Sequence, residues 1–471
     1  MTILRVLFVA AALQFIIPSA VEAQTARRDP PKNVILCIAD GWSQNHILAA
    51  NYYLQGKAQA QAYESFPVRY FMSTYPAKLK KGADDQFLTG YDTARAWSEP
   101  GYPKKGATCS AAAATAMACG QKTVNGAIGM DVDGKPLPNL TELAESLGKA
   151  TGVVTTVPIS HATPAGFVAH NIHRNNYEEI AREMILDSRL EVIMGCGHPG
   201  YGKGGERLDK EGSYKYVGGK ETWEDLLKGN TKFRTPSPSG NIRVRDADGN
   251  NTPDPWSVVQ NRDGFRSLAN GPTPKRVLGV APVASTLQQE RPGNADTSAF
   301  DVYRTANMPD LKEMTLAALN VLDNDPDGFF LMVEGGAIDW ASHDNQGGRM
   351  IEEMEDFNRA VDAIIRWVET NSSWEQTLVI VTGDHECGYL TGPAGKDGLN
   401  ASLPIVNNGK GVMPGMQWNH DNHTNQLIPL FARGAGSEST ALFAENSDPV
   451  RGRYLDNTGI ARLIRLLWET P

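Results

Sequence analysis

Cysteine is scarce in this chain. Cys37, Cys109, Cys119, Cys196 and Cys387 are the five among 471 residues. They are too few and too scattered for a disulfide scaffold, at most two bridges can form, and no CxxC pair of the kind that holds structural zinc occurs. Surplus positive charge is missing too: the net charge is -9 and no basic stripe is present, which argues against a nucleic-acid backbone as a structural partner. Lys78, Lys80 and Lys81 read as a solvated face. No GxGxxG, Walker A or RNA-binding signature occurs, and no repeat of fixed period. Beyond the N-terminus no run is long and apolar enough to cross a bilayer, and the C-terminus carries no hydrophobic tail, so no membrane partner is expected. Disorder is disfavoured as well, because 41% of residues are apolar and 21% charged, enough for a large folded core.

What is present begins with an export signature. Arg5, an apolar run from Val6 to Ile17 and the small-residue stretch Val21-Glu22-Ala23 have the layout of a secretory signal peptide, with residues 1–23 removed. That implies a periplasmic or secreted protein. A tail rich in Arg and Pro covers 24–32, and 33–471 reads as one catalytic domain with surface insertions at about 197–299 and 387–422.

Short runs of branched and aromatic residues at 33–40, 152–158, 329–333 and 377–382 read as buried parallel strands, each followed by polar residues. Helical patterns lie between them at 140–147, 177–185, 310–322 and 350–368. In the last, Met350, Ile351, Met354, Phe357, Val361, Ile364, Ile365 and Val368 form an apolar stripe suited to a sheet. The fold expected is a three-layer α/β/α sandwich with a central, mostly parallel sheet. Ligands of such sheets bind beyond the carboxyl ends of the strands.

The residues at those ends are Asp40, then Glu334, Asp339 and His343, then Asp384 and His385, with His423 further on. Any one has a bland reading, since a strand-end Asp often caps a helix and a lone His is often structural. Together they form the oxygen and nitrogen set that borderline and hard cations need. Asp339 and His343, four apart, can face one ion from one helical turn. Composition and spacing point to a site for more than one metal.

In "GATCSAAAATAMACG", Ser110 opens an alanine-rich helix. A serine there is ordinarily an N-cap, yet the same position favours an anion, and a metal would lower the pKa of its hydroxyl. Cys109 is the competing nucleophile, but it precedes the helix. A sulfatase signature would need Cys-x-Pro-x-Arg, whereas Ser-Ala-Ala-Ala follows Cys109.

The motifs "NVILCIADGW", "SAAAATAMACGQKTVNGAIGMD", "HATPAGFVAHNIHR", "VEGGAIDWASH", "LVIVTGDH" and "NHTNQLIPLFARG" resemble, in this order, those of the alkaline phosphatases. The resemblance runs from about Asn33 to the C-terminal helix and leaves the two insertions uncovered. It implies hydrolysis of phosphate monoesters through a phosphoserine on Ser110, with two Zn²⁺ and one Mg²⁺, broad substrate range and an alkaline optimum. Asp339, His343 and His423 would hold the first zinc. Asp40, Asp384, His385 and the Ser110 oxygen would hold the second, and Asp40, Thr163 and Glu334 the third ion. Arg174 would clamp the phosphate with two parallel hydrogen bonds. Small phosphomonoesters and inorganic phosphate are the implied partners, and homodimers are common in the family.

Three positions depart from the commonest bacterial pattern. Cys109 stands where an aspartate usually holds the clamping arginine, His161 where some members have aspartate, and Trp340 where some have lysine. Without that carboxylate Arg174 should be more mobile and phosphate held less tightly, and His161 and Trp340 would lie beside the third ion and the phosphate. Preference for diesters or sulfate esters, and a phosphate-binding protein without turnover, are the competing expectations. Thr163, Glu334 and Arg174 favour monoesters over the former. Only the substitution at Cys109 speaks for the latter.

Overall fold

The structure, a computed structural model, describes residues 30–77, 90–394 and 403–469. The expected signal peptide, most of the tail at 24–32, the lysine cluster at 78–81 and part of the expected insertion at 387–422 lie outside them. Among the described residues no helix is long and apolar enough to cross a membrane.

Strand β1 (Asn33–Ala39) runs at the centre of the sheet. Its neighbours are β7 (Phe329–Gly335) and β8 (Thr377–Gly383), both parallel to it. Beyond β7 follow β3 (Ala150–Pro158), β4 (Val192–Cys196), β6 (Val277–Val280) and β5 (Ser257–Val259), all parallel. On the other side β8 pairs with β11 (Ile428–Gly434), which runs antiparallel and leads to β2 (Val68–Ser73), β13 (Gly452–Asp456) and β12 (Asn446–Asp448). Eleven strands thus form one sheet dominated by parallel pairs.

The alternation of each central strand builds the layers. Ile35, Cys37 and Ala39 of β1 enter one hydrophobic core, and Val34, Leu36 and Ile38 enter the other. The same split separates Phe329, Leu331 and Val333 from Phe330 and Met332. A period of two sends successive side chains to opposite faces, so a strand apolar at every position must be covered on both. One face is covered by the helices Gln44–Gln55, Leu311–Leu322 and Gly347–Asn371. The other carries Ser110–Cys119, Leu140–Ser146, Ala162–Gly166, Tyr177–Leu186 and Gly459–Glu469. The expected α/β sandwich is the architecture found.

The stretch 197–299, expected as a surface excursion, differs in one respect. It supplies β5 and β6, and Val277, Leu278 and Val280 are fully buried. Runs of three and four residues among glycine, proline and lysine are too short to register as strands by pattern alone. The other excursion is closed at its base, where β9 (Glu386–Cys387) pairs antiparallel with β10 (His423–Thr424).

Candidate active site

Register brings the strand-end residues together. Ala39 pairs with Gly335 on one side and Gly383 on the other, so Asp40 and Asp384 each lie one residue past level strand ends. Gly41 allows the β1 loop to turn over this edge. Its φ is +76°, and a Cβ there would lie 2.6 Å from the Cα of Asp339, so both conformation and space require glycine.

The helix Ala337–His343 presents Asp339 and His343 one turn apart, opposite His423. Nδ1 of His343 is 2.7 Å from the carbonyl of Asp421, and Nδ1 of His423 is 2.8 Å from that of Thr108. A carbonyl only accepts, so both Nδ1 atoms carry hydrogen, which leaves each Nε2 as the ring atom free to take a proton or a metal. These two Nε2 atoms lie 3.0 Å apart, each 3.4 Å from an oxygen of Asp339. Two lone pairs so close repel unless a proton or a metal cation sits between them. A tetrahedral ion with bonds of about 2.0–2.1 Å separates its ligands by about 3.3 Å, which these distances match.

A second group adjoins the first. His385 stacks on His423 with ring centroids 3.6 Å apart, and its Nε2 lies 3.1 Å from Asp384 Oδ2, 3.5 Å from Asp40 Oδ1 and 3.3 Å from the Ser110 hydroxyl. Asp384 is held by the backbone N–H groups of Gly41 and His385, which donate to Oδ1. Ser110 is the first residue of its helix, and the N-cap is Cys109. Its hydroxyl is therefore directed at His385 and is not used in capping. The alanines behind it suit close helix packing: a Cβ on Gly166 would come within 2.7 Å of the Cβ of Ala114. Ser110 thus stands on a rigid, wholly buried base.

Glu334 is the second-last residue of β7, directly opposite Thr155 of β3, whose hydroxyl donates to Oε2. Its Oε1 and the buried Thr163 hydroxyl lack partners. Arg174 lies across the mouth. Its backbone N–H donates to Gly126 O at 2.7 Å, while Cys109 Sγ accepts from Gly126 N at 3.1 Å, so one loop positions both. Arg174 Nη2 is 3.5 Å from His161 Nε2, and the His161 ring meets Trp340 edge-on with centroids 5.5 Å apart. Burial, then the charge of Arg174, lowers the His161 pKa to about 3, so its ring is neutral.

Electrostatics tests whether these groups suit metal ions. Burial, followed by Asp384, Asp339 and Glu334, raises the Asp40 pKa well above the carboxylate range. Burial pushes Glu334 up to about 7 and Asp384 to about 6. Asp339 is also buried, but His343 and His423 outweigh that and hold its pKa below normal. Both oxygens of Asp40, Oδ1 of Asp339, Oδ2 of Asp384 and Oε1 of Glu334 are buried without hydrogen-bond partners. So many unpartnered acid oxygens in so small a space are costly unless cations coordinate them. The donor set fits divalent metals, with imidazole at one end and oxygen alone at the other.

Asp339, His343 and His423 meet, Asp40, Asp384, His385 and Ser110 meet beside them, and His161 adjoins Arg174 and Trp340. Sequence reasoning missed Thr155, the carbonyls of Thr108 and Asp421, and Cys387. Cys387 groups with Asp339, His343 and His423, their ligand atoms all within 4.8 Å of one another. "DHEC" places a thiol two residues past His385, but its direction depends on the pairing of β9 with β10. All five cysteines carry free thiols.

Comparison with known proteins agrees with this geometry. The profile of the alkaline phosphatase family matches residues 31–426. Alkaline phosphatase 3 of Bacillus subtilis is 33% identical over 392 residues, covering 81% of this chain and 66% of that relative. The chain therefore spans just under two thirds of that relative's length. Alkaline phosphatase of Escherichia coli is 30% identical over 431 residues, 89% of this chain and 84% of its own. The structure of alkaline phosphatase from the Antarctic bacterium TAB5 superposes with a TM-score of 0.60 at 25% identity, covering 94% of this chain and 99% of the other. The chain belongs to the alkaline phosphatase family.

Proposed function

We propose that this member of the alkaline phosphatase family hydrolyses phosphate monoesters to an alcohol and inorganic phosphate, with Ser110 as the nucleophile. The observation that carries the reading is the Ser110 hydroxyl, free of capping duty, at a helix N-terminus and 3.3 Å from His385 in a bed of unpartnered acid oxygens. Asp339, His343 and His423 would hold one Zn²⁺, and Asp40, Asp384 and His385, with the serine oxygen, a second. Asp40, Thr163 and Glu334 would hold Mg²⁺. When bound, these ions supply charge neutralisation for the phosphoryl group and a lower pKa for the serine.

The chain's own residues do the rest. Ser110 Oγ forms the bond to phosphorus as the ester bond on the far side breaks, and the alcohol leaves. Water then attacks the phosphoserine, returning the proton to Ser110 and releasing phosphate. Positive helix-end N–H groups favour the anion in both steps. Arg174 orients two non-bridging oxygens, and Cys109, His161 and Trp340 line its flank. A clamp that holds only the phosphoryl group would leave the alcohol free to vary, in keeping with a broad range of leaving groups. Residues 1–23 are read as an export signal, with a mature chain beginning at Gln24 as its check, and solution mass tests the homodimer.

Hydrolysis of p-nitrophenyl phosphate at alkaline pH with Zn²⁺ and Mg²⁺ tests the function. Ser110→Ala and chelation should each lower turnover, the substitution by about 10⁴-fold or more. A metallated parent that binds phosphate but releases no nitrophenol would overturn it, leaving diesters, sulfate esters or silent binding.

A further inference from the structure

We infer that Cys387 supplies a fourth protein ligand, a thiolate, to the metal ion held by Asp339, His343 and His423. The inference rests on the proposal that an ion is held there, and it deepens that proposal by naming a soft ligand.

The pairing of β9 with β10 directs the sulfur. Cys387 lies directly across from His423, and Glu386 across from Thr424. Directly opposed residues share a face, and the next pair takes the other. Glu386 and Thr424 satisfy each other on theirs, the Thr424 hydroxyl donating to Oε2 while Leu390 N–H donates to Oε1 at 2.9 Å. Cys387 therefore shares the metal-facing side with His423. Its N–H donates to the carbonyl of Gly41 at 3.0 Å, tying the strand to the β1 loop that runs against Asp339. The thiol is fully buried, so it is placed for a site inside the protein and not for solvent.

Distance allows ligation. The sulfur, one ring nitrogen of each histidine and a carboxylate oxygen lie within 4.8 Å of one another. Around zinc, with bonds of about 2.3 Å to sulfur and about 2.0–2.1 Å to nitrogen, the sulfur and a nitrogen stand about 3.6 Å apart. From 4.8 Å, a shift of about 1 Å closes the gap to that spacing. On coordination the thiol proton passes to solvent, and one S–metal bond replaces the S–H bond.

The ligand changes what the position can do. Thiolate selects zinc or cobalt over magnesium and calcium. Two anionic ligands formally cancel a divalent charge, so the ion is held more firmly and pulls less on the phosphoryl oxygens. The set becomes the closed tetrahedron of structural zinc sites, and substrate must enter as a fifth ligand or by loosening one.

The experiment uses the intact protein loaded with zinc or with cobalt. X-ray absorption at the zinc edge should show a sulfur shell at about 2.3 Å. The cobalt form should show a thiolate-to-cobalt absorption in the near ultraviolet, retained in Cys109→Ser and lost in Cys387→Ser. If Cys387→Ser does not fold, the sulfur shell in the zinc-loaded Cys109→Ser protein decides. Retained metal without sulfur shell or absorption overturns the role of Cys387 and leaves the metal site standing. Failure to retain zinc or cobalt after dialysis overturns both.

Discussion

This molecule holds two buried acid clusters, and they are neutralised in opposite ways. At the strand ends, Asp40, Glu334, Asp339 and Asp384 converge with the imidazoles His343, His385 and His423. On the helix Gly347–Asn371, Glu352, Glu353 and Asp356 are just as buried but meet arginines. Arg291 Nη2 is 2.6 Å from Glu352 Oε2, Arg349 Nη1 is 3.7 Å from the same atom, and Arg304 Nη2 donates to the carbonyl of Glu352 at 2.9 Å. Arginine carries a permanent charge, whereas imidazole is as often neutral and then offers a lone pair. The helix cluster brings its own counter-ions. The strand-end cluster instead offers lone pairs, and this is the physical reason for reading one as architecture and the other as a place for metal.

Removing the external cations should therefore have the largest effect. Asp339→Asn is expected to lower kcat/KM by about 10³-fold or more, and chelation of the parent by at least as much. Zinc at a thousand times its Kd should stabilise the parent by about 4 kcal/mol, read as a rise in Tm. A parent whose Tm and rate are unmoved by chelation would erase the contrast between the clusters.

Next comes the internal pair. Arg291→Met removes a guanidinium that also donates to the carbonyls of Gln288, Val302 and Tyr303. Stripping one partner from a buried ion pair costs about 3–5 kcal/mol. The denaturation midpoint should fall accordingly, added zinc should not restore it, and Arg291→Met with Glu352→Leu should recover part of it. Rescue of the single variant by zinc would show that the two clusters are not independent.

Most of the strand-end cluster was legible because parallel register is regular: a residue just past one apolar run is level with its counterpart past the next, as Asp40 and Asp384 are. Which acid serves which ion was not in the spacing and came from resemblance. β5 and β6 escaped notice because three or four residues carry no period. Cys387 escaped because its facing is set by pairing with His423, far along the chain. The arginine cluster escaped for a similar reason, since Arg291 lies in the stretch read as a surface insertion, Arg304 just past it, and both meet a helix far along the chain.

A smaller effect is expected at the edge of the first cluster. Cys109→Asp would place a carboxylate near Arg174, against the Gly126 loop that both residues contact. A charge-assisted bond there should fix the guanidinium and tighten phosphate, lowering its inhibition constant by about tenfold. Slower product release should accompany this, seen as a lower kcat. An unchanged inhibition constant would mean that Gly126 already fixes the clamp, and Cys109 has no part in phosphate retention.

The smallest effect sharpens the comparison from the other side, because the helix cluster is not perfectly balanced. Burial, then Asp356, pushes Glu353 up to about 8 although Arg304 and Arg291 oppose the rise, and its Oε1 has no partner. In the unfolded chain the same group titrates near about 4.3. Between those values the folded protein binds the proton more tightly, so stability is greatest below about pH 4.3 and falls as pH rises towards about 8. Glu353→Gln abolishes that titration. At pH 9 the variant should be more stable than the parent by about 1 kcal/mol, well short of the full shift because the arginines lose an attractive charge. At pH 5, where the folded parent's glutamic acid is protonated and only the first part of the linkage has set in, the advantage should be much smaller. Urea denaturation at the two pH values measures the difference directly, and an equal gap at both would mean that Glu353 is ionised throughout and that the arginines neutralise every acid in the cluster.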